Sequence, residues 1–119
     1  MAQKWSIQVQ WTETHDCYGW CDEKGKRIAL GTHDPHVFFH ELAHATHARL
    51  NGQLKGGPHE DQEVVAEFTA CVLTHLYGLG DRTGNAWQYI KSYARDPLVA
   101  IAKALDTVGK VLELLAQLA

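Results

Sequence analysis

Three polar residues, His40, Glu41 and His44, lie within residues 37–45, a segment that is otherwise apolar. If this segment is a helix, the two histidines lie on one side of it, one turn apart. Imidazole and carboxylate groups in apolar surroundings lose their hydration, which is costly unless other partners replace the water. The rest of the chain must therefore fold so that it brings compensating groups to this helix.

The segment His40-Glu41-Leu42-Ala43-His44 also matches the HExxH pattern of zinc peptidases. Two imidazoles spaced in this way can bind one metal ion at about 2.0 to 2.1 Å from each nitrogen. Glu41 is one position round the helix from His40, so it can contact a water on the ion and act as general base. A solvated polar face is the alternative interpretation of the three residues.

A catalytic zinc ion usually has three protein ligands and one water, so one more ligand is expected. The next predicted helix begins with acidic residues, and its Glu63 follows His44 by nineteen positions. We predict that Glu63 is the third metal ligand. Glu67, one helical turn further, would then accept a hydrogen bond that orients a ligand imidazole. The reverse assignment, with Glu67 on the metal, stays open.

Several other side chains are weaker candidates for the site. His36 and His47 continue the row of histidines on the same helix, so they either line the site or occupy ordinary helix positions. His33 precedes this helix and is expected at the mouth of the site. A peptidase also needs a donor that stabilises the developing oxyanion. The sequence does not choose among five such donors: Tyr77, Tyr89, Tyr93, His59 and Arg82.

The first third of the chain has the pattern of β structure. Apolar and polar residues alternate over residues 4–11, which predicts a half-buried strand. Shorter strands are predicted at residues 17–20 and 27–30, and the three together suggest an antiparallel β-meander. The strand at residues 27–30 could hold an extended peptide by edge pairing.

The remainder of the chain predicts about four helices. Asp34-Pro35 and Asp96-Pro97 are helix starts, because Asp can cap a helix and Pro suits its first position. The predicted helices cover residues 35–50, 60–77, 86–94 and 97–119. Strands followed by helices indicate an α+β fold, and the length fits a single domain over residues 1–119.

The last predicted helix has an apolar residue at alternating steps of three and four positions. Such a seam is typical of a coiled coil, but it also occurs on a helix that packs against a core. Both a core face and a homodimer contact therefore stay open. The residues of the seam are Leu98, Ile101, Leu105, Val108, Leu112, Leu115 and Ala119.

Composition excludes several classes of function. The formal net charge of −3 gives no basic surface for nucleic acid, and the 45% hydrophobic and 21% charged residues do not suggest disorder. No apolar run approaches the roughly 20 residues that cross a bilayer. The odd number of cysteines, 3, and the absence of an apolar leader favour reduced thiols and a cytoplasmic location.

Four segments together resemble the C-terminal metallopeptidase domain of ArdC-type plasmid antirestriction proteins. They are residues 39–44, 62–67, 86–93 and 97–104. The resemblance extends over roughly residues 27–119, and its more particular parts are residues 64–67 and 87–90. It implies a zincin-like fold in which His40, His44 and a helical glutamate hold the metal, as in gluzincins.

The resemblance has limits. Members of that family commonly carry an N-terminal domain that binds single-stranded DNA, and we expect that this chain has no room for one. DNA binding and antirestriction are therefore not implied, whereas the metallopeptidase site is.

These features predict a zinc-dependent metallopeptidase that hydrolyses peptide bonds by a metal-activated water, with a peptide or protein as its substrate. Two alternatives stay open. One is a metal-binding interaction module without turnover, and the other is an accessory protein of a mobile element or phage.

Overall fold

The computed structural model describes residues 8–11, 19–21, 25–30, 34–52, 54, 59–81 and 83–117. Within them, the strands β1 (Gln8–Trp11), β2 (Gly19–Cys21) and β3 (Arg27–Leu30) precede all of the helices. The helices are α1 (Pro35–Asn51), α2 (Glu60–Leu76), α3 (Thr83–Tyr93) and α4 (Pro97–Ala116). A mostly helical chain with its strands first is compatible with the predicted α+β class. None of these helices combines the length and the apolar character that crossing a membrane requires.

The three strands form a mixed sheet in the order β1-β3-β2. β1 runs parallel to β3, with Val9 opposite Ile28, and β2 runs antiparallel to β3, with Cys21 opposite Ile28. The prediction of an antiparallel β-meander was therefore wrong. Alternation of apolar residues specifies the two faces of each strand, but it carries no information about which strand becomes its neighbour.

The sheet order also corrects the expectation that residues 27–30 hold a peptide by edge pairing. Strand addition needs a row of unpaired backbone groups along one edge of a strand. β3 is the central strand and pairs on both sides, so no such row is free there. In the described sheet, β1 and β2 are the edge strands.

α1 is the helix around which the described elements pack. It begins at Pro35, where the Asp34 side chain accepts a hydrogen bond from the backbone N–H of His36 at 3.0 Å. All residues from 39 to 48 are buried, because α2, α4, β2 and β3 contact the helix from different sides. A helix buried in this way has no solvated face, so its polar side chains depend on partners inside the protein.

α3 begins three residues before its predicted start at residue 86. The Asp81 side chain accepts a hydrogen bond from the backbone N–H of Thr83 at 2.9 Å, and a second one from the Thr83 hydroxyl. These hydrogen bonds satisfy the backbone N–H of the first helical residue, and the helix continues through Gly84.

The apolar seam of α4 divides between core and surface. Val108 and Leu115 are buried in the core beside Val111, whereas Leu98 and Leu105 are 72% and 52% exposed. The core interpretation therefore holds for the C-terminal half of the seam. Ile101 and Leu112 are partly buried against the same core. Ala119 lies outside the described residues.

The turn before β3 lies directly on α1 at Gly25. This glycine has φ of +70°, and a Cβ atom placed on it would lie 2.7 Å from the carbonyl oxygen of Ala45 and 2.9 Å from its Cα. Both features exclude a side chain, since the left-handed conformation is unfavourable for other residues and the backbone of α1 cannot move aside easily.

We predict that Gly25→Ala lowers the free energy of unfolding much more than Gly52→Ala. Gly52 has a similar φ of +82°, but a Cβ there would meet nothing within 4 Å. The expected loss is roughly 1–2 kcal/mol for Gly52→Ala, and overpacking adds roughly 1–3 kcal/mol more for Gly25→Ala. Urea unfolding of both variants measures the difference. Equal losses would contradict the close approach of Gly25 to α1.

Candidate metal centre

Two histidines of α1 and one glutamate of α2 converge on a single point. The Nε2 atom of His40 lies 3.0 Å from Oε2 of Glu63, and the Nε2 atom of His44 lies 3.4 Å from the same oxygen. The ligand atoms of the three residues all lie within 4.8 Å of one another. His40, His44 and Glu63 together could therefore hold a metal ion.

The packing of α1 on α2 produces this convergence. His40 and His44 are one helical turn apart, so their rings are neighbours and meet edge to face, with centroids 4.9 Å apart. Glu63 lies in the first turn of α2, where its backbone N–H donates to the carbonyl of His59 at 2.9 Å. The buried residues Val64 and Val65 follow it and fix α2 against the core. The Glu63 side chain is thereby held at the end of α2 that faces the two histidines.

The three residues of the HExxH segment are buried rather than solvated. His40 and His44 are each 8% exposed, and Glu41 is 6% exposed. The alternative interpretation, in which they form a solvated polar face, is therefore wrong.

Glu67 contacts His40 on the side of the ring opposite to Glu63. Its Oε2 atom lies 2.9 Å from Nδ1 of His40, and its Oε1 atom contacts Nε2 of His36. Burial acts to raise the pKa of Glu67, but its hydrogen bonds with His36 and His40 lower it to about 2. A carboxylate in this position accepts the Nδ1–H of His40 and leaves Nε2 directed at Glu63. Glu67 therefore lies where it can orient the His40 imidazole, and the assignment of Glu63 rather than Glu67 as metal ligand stays a prediction.

Charges within the cluster are strongly coupled. Burial acts against the charged form of His40, but hydrogen bonds to Glu63 and Glu67 outweigh it and raise the pKa of His40 to about 10. Burial would also raise the pKa of Glu63, yet hydrogen bonds to His40 and His44 hold it well below its usual range. The two carboxylates therefore favour positive charge at this position, and a metal cation would supply such a charge.

Glu41 belongs to the same electrostatic environment. Burial raises its pKa, the charges of His40 and His44 lower it, and the negative charge of Glu63 raises it again. The net effect is a pKa above the ordinary value of a glutamate. A carboxylate with a raised pKa is a better proton acceptor near neutral pH than an exposed one.

Among the five possible oxyanion donors, Tyr89 is placed against the site. Its hydroxyl donates a hydrogen bond to Oε2 of Glu63 at 2.9 Å, and its ring packs edge-on to His40 with centroids 5.3 Å apart. Burial, together with the charge of Glu63, raises the pKa of Tyr89, so the phenol stays neutral and keeps its proton.

The other four candidates occupy different places. Tyr93 contacts Tyr89, both ring against ring with centroids 4.9 Å apart and through a side-chain hydrogen bond. Tyr77 stacks on Phe39, on another part of α1. His59 is the residue that precedes α2, and Arg82 lies outside the described residues.

The remaining histidines differ in their relation to the site. His36 is buried behind Glu67 rather than on a cleft wall, and His47 is buried with its Nδ1 atom unpartnered among the described residues. Burial and the neighbouring charge of His44 lower the pKa of His47. His75 is exposed on α2, and His33 lies outside the described residues.

No protein-family model matches the chain, and no curated protein and no solved structure matches it either.

Glu63 and Glu67 face different ring nitrogens, so we expect their substitutions to reduce metal affinity by different amounts. Glu67→Gln should weaken zinc binding by roughly 10- to 100-fold, the usual effect of removing a partner that orients a ligand. Glu63→Gln should weaken it further, because a charged ligand atom is lost. Competition with a chromophoric chelator measures both dissociation constants. Wild-type affinity in Glu63→Gln, with binding abolished in Glu67→Gln, would reverse the assignment.

Proposed function

We propose that the chain is a zinc-dependent metallopeptidase, with His40, His44 and Glu63 as metal ligands and Glu41 as the general base. The observation that carries this proposal is the convergence of both Nε2 atoms on Oε2 of Glu63, at 3.0 and 3.4 Å. Ligand atoms about 2.0 to 2.1 Å from a tetrahedral ion are about 3.3 Å apart, so the spacing suits zinc. Two imidazoles and a carboxylate are also a donor set that zinc accepts readily.

The chemistry that follows is hydrolysis of a peptide bond. A bound zinc ion would polarise the scissile carbonyl and lower the pKa of water at the site toward about 7. Glu41 then takes a proton from the attacking water and transfers it to the leaving amine. Its burial beside His40 and His44 supports this role, because burial keeps its pKa raised.

Tyr89 supplies the donor for the developing oxyanion in this mechanism. Its hydroxyl is a neutral donor held against Glu63, next to the position assigned to the metal. The hydroxyl has a single proton, so a substrate carbonyl would receive this hydrogen bond in place of Glu63, once Glu63 binds the metal and negative charge develops on the substrate oxygen.

The resemblance to ArdC-type metallopeptidase domains agrees with this proposal. Support for a zincin-like, gluzincin-like arrangement comes from the order of the elements, in which strands precede the helix with HExxH and the helix with Glu63 follows. The proposal extends to the metallopeptidase activity and not to antirestriction.

A second candidate function is a metal-binding interaction module without turnover. The exposed apolar residues Leu98 and Leu105 on α4 favour it, because they could contact a partner or a second copy. Tight zinc binding by the wild-type protein, with no cleavage across a broad peptide library, would support the module and contradict the peptidase.

We expect Glu41→Gln to keep zinc and lose hydrolysis. Removing the general base should lower kcat by roughly 100- to 10,000-fold, whereas the metal ligands stay in place. Zinc content by elemental analysis and cleavage of quenched fluorescent peptides test the two effects separately. Glu60→Gln is the matched control, since Glu60 is exposed on α2 and should have wild-type activity. Unchanged cleavage in Glu41→Gln would refute the mechanism.

Tyr89→Phe should reduce kcat by roughly 100-fold and leave the zinc dissociation constant within a few-fold of wild type. The ring, and with it the packing on His40, is retained in this variant. Tyr77→Phe serves as control, because Tyr77 stacks on Phe39 and contacts neither Tyr89 nor the ligands among the described residues. If both variants hydrolyse peptides equally well, Tyr89 is not the oxyanion donor.

A further inference from the structure

A continuous chain of hydrogen bonds extends from His40 away from the metal centre. Beyond Glu67, the chain reaches Nε2 of His36, whose other ring nitrogen, Nδ1, lies 3.2 Å from Oγ1 of Thr74. The Thr74 hydroxyl donates in turn to the carbonyl of Ala70 at 2.7 Å. The side chains of His36 and Glu67 are 9% and 5% exposed, and Thr74 is 1% exposed. This series of hydrogen bonds is therefore shielded from water along its length.

The number of available protons determines which group donates and which accepts in each of these hydrogen bonds. The Thr74 hydroxyl has one proton, which it gives to Ala70, so it can only accept from Nδ1–H of His36. The other nitrogen of His36 then faces Oε1 of Glu67 with one proton between the two groups.

His40 receives a defined partner as a result. With Oε1 of Glu67 engaged by His36, Oε2 is the oxygen left to accept Nδ1–H of His40, at 2.9 Å. With Nδ1 held in this way, Nε2 is the nitrogen of His40 that faces Glu63 and that can offer its lone pair to a metal once it loses its proton. Removing His36 would leave one buried carboxylate oxygen without its partner and free the carboxylate to rotate.

We propose that His36 is a positioning residue of the metal centre, which holds Glu67 so that His40 presents Nε2 to the metal. This inference rests on the proposed function, because it requires that His40 binds a metal. It assigns a role to a histidine outside the HExxH segment, four positions before His40.

The experiment compares two substitutions that keep different parts of the ring. In His36→Gln the amide nitrogen takes roughly the place of Nε2 and can still donate to Glu67. In His36→Asn it takes the place of Nδ1 and cannot reach Glu67. Zinc affinity and the visible spectrum of the cobalt-substituted protein are measured for each, with urea unfolding of the metal-free protein as a check on structure. The control is His75→Asn, since His75 is exposed one residue after Thr74.

We expect His36→Asn to bind zinc roughly 10- to 100-fold more weakly and to have an altered cobalt spectrum. His36→Gln should recover most of the affinity, and His75→Asn should behave as wild type. A merely structural role would lower the stability of the metal-free protein equally in both His36 variants and leave the cobalt spectrum unchanged. Wild-type zinc affinity and cobalt spectrum in His36→Asn would overturn the inference.

If His36→Asn does not fold, Thr74→Val tests the same positioning role of His36. It removes the acceptor for Nδ1 of His36 with little change of shape, so zinc affinity should fall several-fold. Unchanged affinity in that variant would overturn the inference. Failure of the wild-type protein to bind zinc or cobalt would instead refute the proposed function. The experiment therefore distinguishes failure of the proposed function from failure of the inference about His36.

Discussion

The hydrogen bonds between the histidines of α1 and the carboxylates of α2 are the interaction on which the rest of the structure depends. α1 is enclosed by other elements, yet it carries His36, His40 and His44 in its buried part. Such groups cannot be buried without partners, because each would lose its hydration uncompensated. Glu63 and Glu67 supply these partners from α2, so the packing of the two helices and the assembly of the site are one event.

The two glutamates are chemically identical but face different ring nitrogens, and the different roles that we propose for them rest on this difference. Glu63 faces Nε2 of both histidines, the side on which a metal can bind. Glu67 faces Nδ1 of His40, where it orients the ring. His40 and His44 are unequal in this respect, since Nδ1 of His44 has no hydrogen-bond partner among the described residues. His40 is therefore the more firmly oriented of the two.

Local patterns were sufficient to predict the parts of the site that depend on helical geometry. The four-residue spacings of His40 with His44 and of Glu63 with Glu67 determine which side chains share a helix face. Caps at Asp34 and Asp96 also set the starts of α1 and α4 close to their observed positions. The identity of the helices and the order of the two glutamates along α2 follow from these local rules.

Features that depend on contacts between distant segments could not be predicted in the same way. The parallel pairing of β1 with β3 and the choice of Tyr89 among several donors both require knowledge of which elements become neighbours. The contact of His36 with Thr74 joins residues 38 positions apart, and neither residue carries a local signal for it. The seam of α4 likewise has one apolar pattern, but the neighbouring helices bury only part of it.

The most direct test of the account is a crystal structure of the zinc-loaded protein, with diffraction data collected on both sides of the zinc absorption edge. The account predicts one strong anomalous peak about 2.0 to 2.2 Å from Nε2 of His40, Nε2 of His44 and a carboxylate oxygen of Glu63. Glu67 should remain on Nδ1 of His40. A peak elsewhere, or a zinc ion held by Glu67 in place of Glu63, would contradict it.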